Sequence, residues 1–120
     1  MSKKILVVDD SLFIREVLKG LLTKNYTVVE ADTGSKALAQ FEKENPDLTL
    51  LDIVMPEGEE EGIRVLQEIR KIDPKASVIM ITAVGQDEII KRCKKLGTKD
   101  YIVKPFDHQM VCKTVAKYLS

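Results

Sequence analysis

The sequence predicts a doubly wound α/β domain, a parallel sheet of five strands with five helices on its two faces. Three observations predict it. Short apolar runs that do not alternate with polar residues recur along the chain, and such runs suit strands covered on both faces. Between them lie segments whose apolar residues repeat at helical spacing. Helix-ending punctuation separates the two kinds of segment.

The first strand is the run "ILVV" (5–8), and the first helix follows from the stripe Ile14, Val17, Leu18, Leu21 and Leu22. "TVV" (27–29) makes the second strand; Ala37, Leu38 and Phe41 make the second helix, which "ENPD" closes. "LTLL" (48–51) is the third strand, followed by a helix built on Val65, Leu66 and Ile69 and ended by "IDPK". "SVIMI" (77–81) is the fourth, and its helix carries Ile89, Ile90, Cys93 and Leu96, with Gly97 just past its end. "YIV" (101–103) is the fifth, and the last helix follows from Val111, Val115, Tyr118 and Leu119. Strand and helix alternate five times, which calls for right-handed crossovers.

With 120 residues, 44% apolar and 32% charged, the chain is read as one domain over 1–120 with a single core. Nineteen basic and nineteen acidic residues cancel, so the overall charge argues for neither a nucleic-acid nor a membrane-surface partner. The N-terminal apolar stretch is too short for a signal peptide or a membrane span, which leads to the expectation of a soluble cytoplasmic protein. Cys93 and Cys112 lack metal-type or CxxC spacing and are read as reduced, packed thiols. The single histidine, His108, is read as an exposed structural residue.

Open parallel sheets bind ligands outside the carboxyl ends of their strands. Those ends carry Asp9 and Asp10, Asp52, Thr82 and Lys104. Three carboxylates gathered there repel one another, and a divalent cation would relieve the repulsion. Magnesium suits the donors, which are hard oxygens with no histidine or cysteine among them. Given a phosphate donor, Asp52 becomes a plausible nucleophile, with the Lys104 ammonium and the Thr82 hydroxyl set to meet the negative oxygens of the transferred group.

Four stretches, "ILVVDDS", "LLDIVMP", "MITA" and "DYIVKPF", in this order and at this spacing, make the chain resemble the receiver domains of two-component response regulators over essentially its whole length. The resemblance implies a flavodoxin-like strand order 2-1-3-4-5, which the pattern of elements alone does not derive. It implies Asp52 as phosphoacceptor, a Mg2+ site at Asp9, Asp10 and Asp52 with the Val54 carbonyl, and catalytic roles for Lys104 and Thr82. Thr82 and Tyr101 are then the switch residues, and the Lys104-Pro105 peptide bond is cis. The implied donor is a sensor histidine kinase or a phosphotransfer protein, and no enzyme activity beyond the chain's own phosphorylation and slow dephosphorylation is expected.

"IDPKASVIMITAVGQ" and "KDYIVKPF" look more like chemotaxis receivers, so a stand-alone chemotaxis switch is the leading reading; a phosphorelay intermediate is the alternative. An aspartyl-nucleophile phosphatase would want an acid two residues past the nucleophile, where Val54 stands. A pseudo-receiver that takes no phosphate stays open, whereas a flavin carrier would need a phosphate cradle that "DDSLF" lacks. The output is expected through the helix 4, strand 5, helix 5 face, near Lys91, Arg92, Lys94, Lys95 and Lys99, to a downstream protein. Val54 and Val84 offer no side chain that could orient water, so slow self-hydrolysis of phospho-Asp52 is expected.

One stretch departs from the family pattern. "MPEGEEEG" (55–62) puts Gly62 two positions later than similar receivers do and adds acid beside the expected metal. The reading taken is a solvated surface loop leading into the third helix; the competing one has its glutamates steering metal or selecting a partner.

Overall fold

A computed structural model describes residues 2–120. Strands and helices alternate as β1 (Lys4–Val8), α1 (Leu12–Leu22), β2 (Thr27–Ala31), α2 (Gly34–Glu44), β3 (Leu48–Leu51), α3 (Glu61–Ile72), β4 (Val78–Thr82), α4 (Asp87–Lys95), β5 (Asp100–Val103) and α5 (His108–Leu119). All five strands are parallel, in the order β2-β1-β3-β4-β5. Successive side chains of a strand point to opposite faces. Ile5 and Val7 therefore join Leu48, Leu50, Ile79 and Ile81 under α1 and α5, against Leu18, Leu22, Val111 and Val115. Leu6 and Val8 face the other way, with Leu51, Val78 and Met80, against Phe41 of α2, Leu66 and Ile69 of α3 and Cys93 of α4.

Each such side chain taken fully out of water contributes about 1.5–3 kcal/mol before its ordering entropy is counted, so the two-faced central strands are where the fold is held. The expectation of burial on both faces holds for β1, β3 and β4 only. β2 buries Ala31 alone and β5 buries Ile102 alone, because these are the two edge strands. Both cysteine thiols are free, Cys93 buried and Cys112 half-buried. No helix among the described residues is long and apolar enough to cross a membrane.

Local signals start and stop the helices. Ser11 Oγ accepts from the Ile14 amide at 3.3 Å and Thr33 Oγ1 from the Lys36 amide at 3.1 Å, while Asp107 caps α5 through the Gln109 and Met110 amides. Asn45, in the left-handed region at φ 46°, ends α2, and Gly97 at φ 98° follows α4.

Register brings the functional edge together. Val8 pairs with Ala31 on one side and Leu51 on the other, so β1, β2 and β3 end level. The next residues continue the ladder: Asp9 donates its amide to the Ala31 carbonyl at 3.1 Å and Asp52 to that of Val8 at 3.0 Å. Thr82 pairs with Val103, and the Lys104 amide donates to the Thr82 carbonyl at 2.8 Å.

α3 docks directly onto this edge. The Gly62 amide donates to the Ile53 carbonyl at 2.8 Å, and a Cβ at Gly62 would lie 1.9 Å from the Asp52 carbonyl oxygen and 2.5 Å from Ile53 Cα. Backbone on both sides leaves nothing flexible to yield. The glycine that the sequence shows arriving late is therefore required by contact. Gly62→Ala is expected to cost more than about 2 kcal/mol in a urea denaturation series. Gly20→Ala, at an exposed position in the last turn of α1 with no atom within 4 Å of the new Cβ, is expected to gain roughly 0.5–1 kcal/mol.

Candidate functional site

Asp9 is 2% exposed and Asp52 6%, each at the end of a central strand, and exposed Asp10 stands beside them. One carboxylate oxygen from each of the three lies within 4.8 Å of the others. Lys104 reaches this cluster from the end of β5, where the Lys104-Pro105 peptide bond is cis. Its Nζ donates to Asp9 Oδ2 at 2.6 Å and to Asp52 Oδ2 at 2.9 Å. The other oxygens are held by backbone, Asp9 Oδ1 by the Ser11 amide at 2.9 Å and Asp52 Oδ1 by the Ile53 amide at 2.7 Å.

At that spacing two unit charges interact by roughly 3–4 kcal/mol at an effective dielectric of about 20. One ammonium against three carboxylates leaves two net negative charges in a partly buried place. Burial raises the Asp9 carboxyl above the usual carboxylate range, and the Lys104 and Ser11 hydrogen bonds only partly offset it. Burial pulls Lys104 down, but its hydrogen bonds to Asp9 and Asp52 outweigh that and hold it above the ordinary ammonium range. The lysine is thus charged at neutral pH, and the uncompensated remainder suits a hard dication among oxygen donors.

Thr82 is fully buried at the end of β4, and its Oγ1 accepts from the Val84 amide at 3.4 Å. Half-buried Tyr101, opposite Met80 on β5, donates its hydroxyl to the Val84 carbonyl. Burial pushes that hydroxyl up to about 12, so it is a donor at neutral pH. The backbone of Val84 therefore links Thr82, through its amide, to Tyr101, through its carbonyl, a role that reading Val84 for its side chain alone missed. Val54, 44% exposed, and Val84 line a cavity of about 340 Å³ with Ile53, Ile89, Glu59 and Glu60.

The acidic loop lies at the surface and leads into α3, with Glu57, Glu59 and Glu60 exposed, but its side chains tie it to its surroundings. Glu57 accepts from the Gly34 and Ser35 amides, both at 3.0 Å, at the start of α2. Glu60 pairs with Arg92 of α4 at 2.9 Å. Glu61 is buried, binds Arg64 through both oxygens at 2.7 Å, and lies where a Cβ on Gly34 would be 2.0 Å from its Oε2. Between them Met55 and Gly58 exchange backbone hydrogen bonds at 3.1 and 3.0 Å, closing the extra length into a tight turn. Arg92, counted in the sequence among the basic groups of the output face, is thereby engaged. Lys91, Lys94, Lys95 and Lys99 stay exposed.

Residues 5–116 match the family described as the response regulator receiver domain. The chain is 40% identical to the chemotaxis protein CheY of Bacillus subtilis over the full length of both, and 41% identical to that of Thermotoga maritima over 98% of each. It is 39% identical to the sporulation initiation phosphotransferase F of Bacillus subtilis, over 99% of this chain and 95% of that one. Among solved structures, a CheX-CheY-BeF3-Mg complex from Borrelia burgdorferi superposes with a TM-score of 0.90 at 34% identity, over 98% of this chain and 90% of that one. A CheY-like receiver domain protein from Methanospirillum hungatei gives 0.92 at 31% identity, covering 99% and 94%.

The Gly34 and Ser35 amides hold the Glu57 carboxyl below the usual carboxylate range. A depressed folded-state value contributes stability above the unfolded pKa and loses it as the pH falls through the folded one. Glu57→Gln is therefore expected to be less stable than wild type by at most about 1 kcal/mol at pH 7. The gap should close as the pH drops below the usual carboxylate range, followed by thermal melts across pH. A cation-steering loop predicts the reverse pattern, altered magnesium affinity with unaltered stability.

Proposed function

The chain belongs to the response regulator receiver family, and on that premise we propose that it is a phosphoryl-accepting switch formed by residues 1–120, with Asp52 as acceptor. Receiver domains take a phosphoryl group on an aspartate and bind magnesium at an aspartate cluster. The observation that carries the reading here is the gathering of Asp9, Asp10 and Asp52 within 4.8 Å, with Lys104 donating to two of them.

Asp9, Asp10 and Asp52, with the Val54 carbonyl, would hold Mg2+, which when bound supplies charge neutralisation for the transferred group. The chain's own residues do the rest. The Ile53 amide fixes the Asp52 carboxylate through Oδ1. An oxygen of that carboxylate forms a bond to phosphorus as the donor's N–P bond breaks; the electron pair stays on the donor imidazole, which takes up a proton. Lys104 exchanges its contact with Asp52 Oδ2 for a phosphoryl oxygen, keeping an ammonium against the negative charge. The Thr82 hydroxyl donates to another of these oxygens.

Thr82 holds the Val84 amide only at 3.4 Å, so drawing its hydroxyl toward the phosphoryl group loosens the residue whose carbonyl Tyr101 binds. That biases a two-state surface along α4, β5 and α5. The donor is a histidine kinase or phosphotransfer protein, the receiver of the signal a protein docking on that face, and neither nucleic acid nor membrane is required. The CheY relatives favour a role in cytoplasmic chemotaxis signalling. The likeness to sporulation initiation phosphotransferase F favours a second reading, an intermediate in a phosphoryl relay.

Incubated with acetyl phosphate and magnesium, the protein is expected to gain one base-labile phosphoryl group by mass spectrometry, absent in Asp52→Asn. Because Val54 and Val84 present no group that orients water, the adduct is expected to persist for minutes in magnesium buffer. Decay within seconds would contradict that account. Continuous phosphate release from varied substrates would instead indicate a phosphatase, and no adduct a pseudo-receiver.

A further inference from the structure

Arg15, on the first helix, takes no part in the chemistry just described, yet its side chain is only 13% exposed. Its Nη1 donates to the carbonyl oxygen of Asp9 at 2.8 Å and its Nε to Glu30 Oε1 on β2 at 3.0 Å. Glu30 is itself fixed: its other carboxylate oxygen pairs with Lys19 at 3.0 Å, and its carbonyl accepts from the Gln40 amide group of α2 at 3.0 Å. With its amide on Ala31 and its carboxylate on Ser11 and Lys104, Asp9 has a fixed partner at every polar group, and Arg15 supplies the one at the carbonyl.

The carbonyl matters because a peptide unit is planar. Setting the direction of the Asp9 carbonyl also sets the amide of Asp10 and the place from which the Asp10 side chain starts. Asp10 is the exposed member of the carboxylate cluster, the one that burial does not hold. We propose that Arg15 is a positioning residue for the magnesium-binding turn, holding the Asp9–Asp10 peptide plane through a guanidinium anchored on Glu30, so that the Asp10 carboxylate is pre-set toward Asp9 and Asp52. This rests on the receiver reading of the site.

Charge and geometry give opposite signs. A guanidinium near a cation site disfavours the cation, so if charge alone counted, Arg15→Gln would tighten magnesium binding. Positioning requires binding to weaken, by roughly tenfold, as for other groups that orient metal ligands. Arg15→Lys keeps the charge, but an ammonium replaces the planar fork that spans two acceptors, so a loss of several-fold in this variant reports geometry alone.

The experiment titrates Mg2+ into wild type, Arg15→Gln and Arg15→Lys by calorimetry, with amide exchange at Asp10 and Ser11 measured in the metal-free proteins. Expected are weaker Mg2+ binding in both variants and faster exchange confined to that turn. Equal or tighter binding in both would overturn the inference while leaving the receiver reading intact, as would exchange that quickens evenly over the chain with unchanged affinity. If Arg15→Gln does not fold, Arg15→Lys decides alone. Wild type that binds no Mg2+ would overturn the receiver reading and this inference together.

Discussion

A single ammonium shared by two carboxylates is the constraint around which this structure is arranged. Lys104 arrives from an edge strand to lie between Asp9 and Asp52, which stand side by side because β1 and β3 end in register. Neither carboxylate would be tolerated alone at that depth, and with exposed Asp10 beside them the negative charge exceeds what one lysine offsets. Chemistry follows from the imbalance. Surplus negative charge on hard oxygens suits a small dication, and a charged lysine among them could trade a carboxylate contact for a phosphoryl oxygen.

The surroundings of this pocket are rigid for a physical reason. α3 packs its first turn against the backbone of Asp52 and Ile53 so closely that only glycine fits at position 62, and the acidic stretch 55–61 connects them. Left untethered, such a loop would be a source of disorder next to Asp52. Its glutamates suppress that disorder: Glu57 occupies the free amides at the start of α2, Glu60 reaches α4, and Glu61 is buried against Arg64. Arg15 likewise joins the β1–α1 turn to β2, through the Asp9 carbonyl and Glu30. Both loops that carry the acids are thereby tied to the β2–α2 unit, which contributes no reactive group of its own.

The outward path from the pocket is short. Thr82 and Tyr101 each hold a backbone group of Val84, Thr82 its amide and Tyr101 its carbonyl. Under the proposed function, a shift of the Thr82 hydroxyl would reach Tyr101 through the Val84 backbone. The edge position of β5 is what makes this a surface event. Only Ile102 of that strand is buried, and Val103 lies half in solvent.

Apolar runs on the central strands were legible in the sequence because they are covered on both faces, which writes the strand as a continuous hydrophobic word. The edge strands were legible only as short fragments, since one side of each meets solvent and its alternation is broken by charge. Asp9, Asp10, Asp52, Thr82 and Lys104 could be assigned to one edge from alternation alone, because parallel strands all point their carboxyl ends the same way. Glu57, Arg15 and the Val84 backbone carried no such mark. Their partners are 23, 6 and 17 residues away, and each of these bonds has a backbone atom on one side, which looks alike at every position of a sequence. What the sequence by itself determined is the set of groups at the reactive edge, since periodicity and strand direction are local properties. What only the tertiary structure decided is how that edge is held, because a hydrogen bond to a distant amide or carbonyl depends on where the chain returns in space.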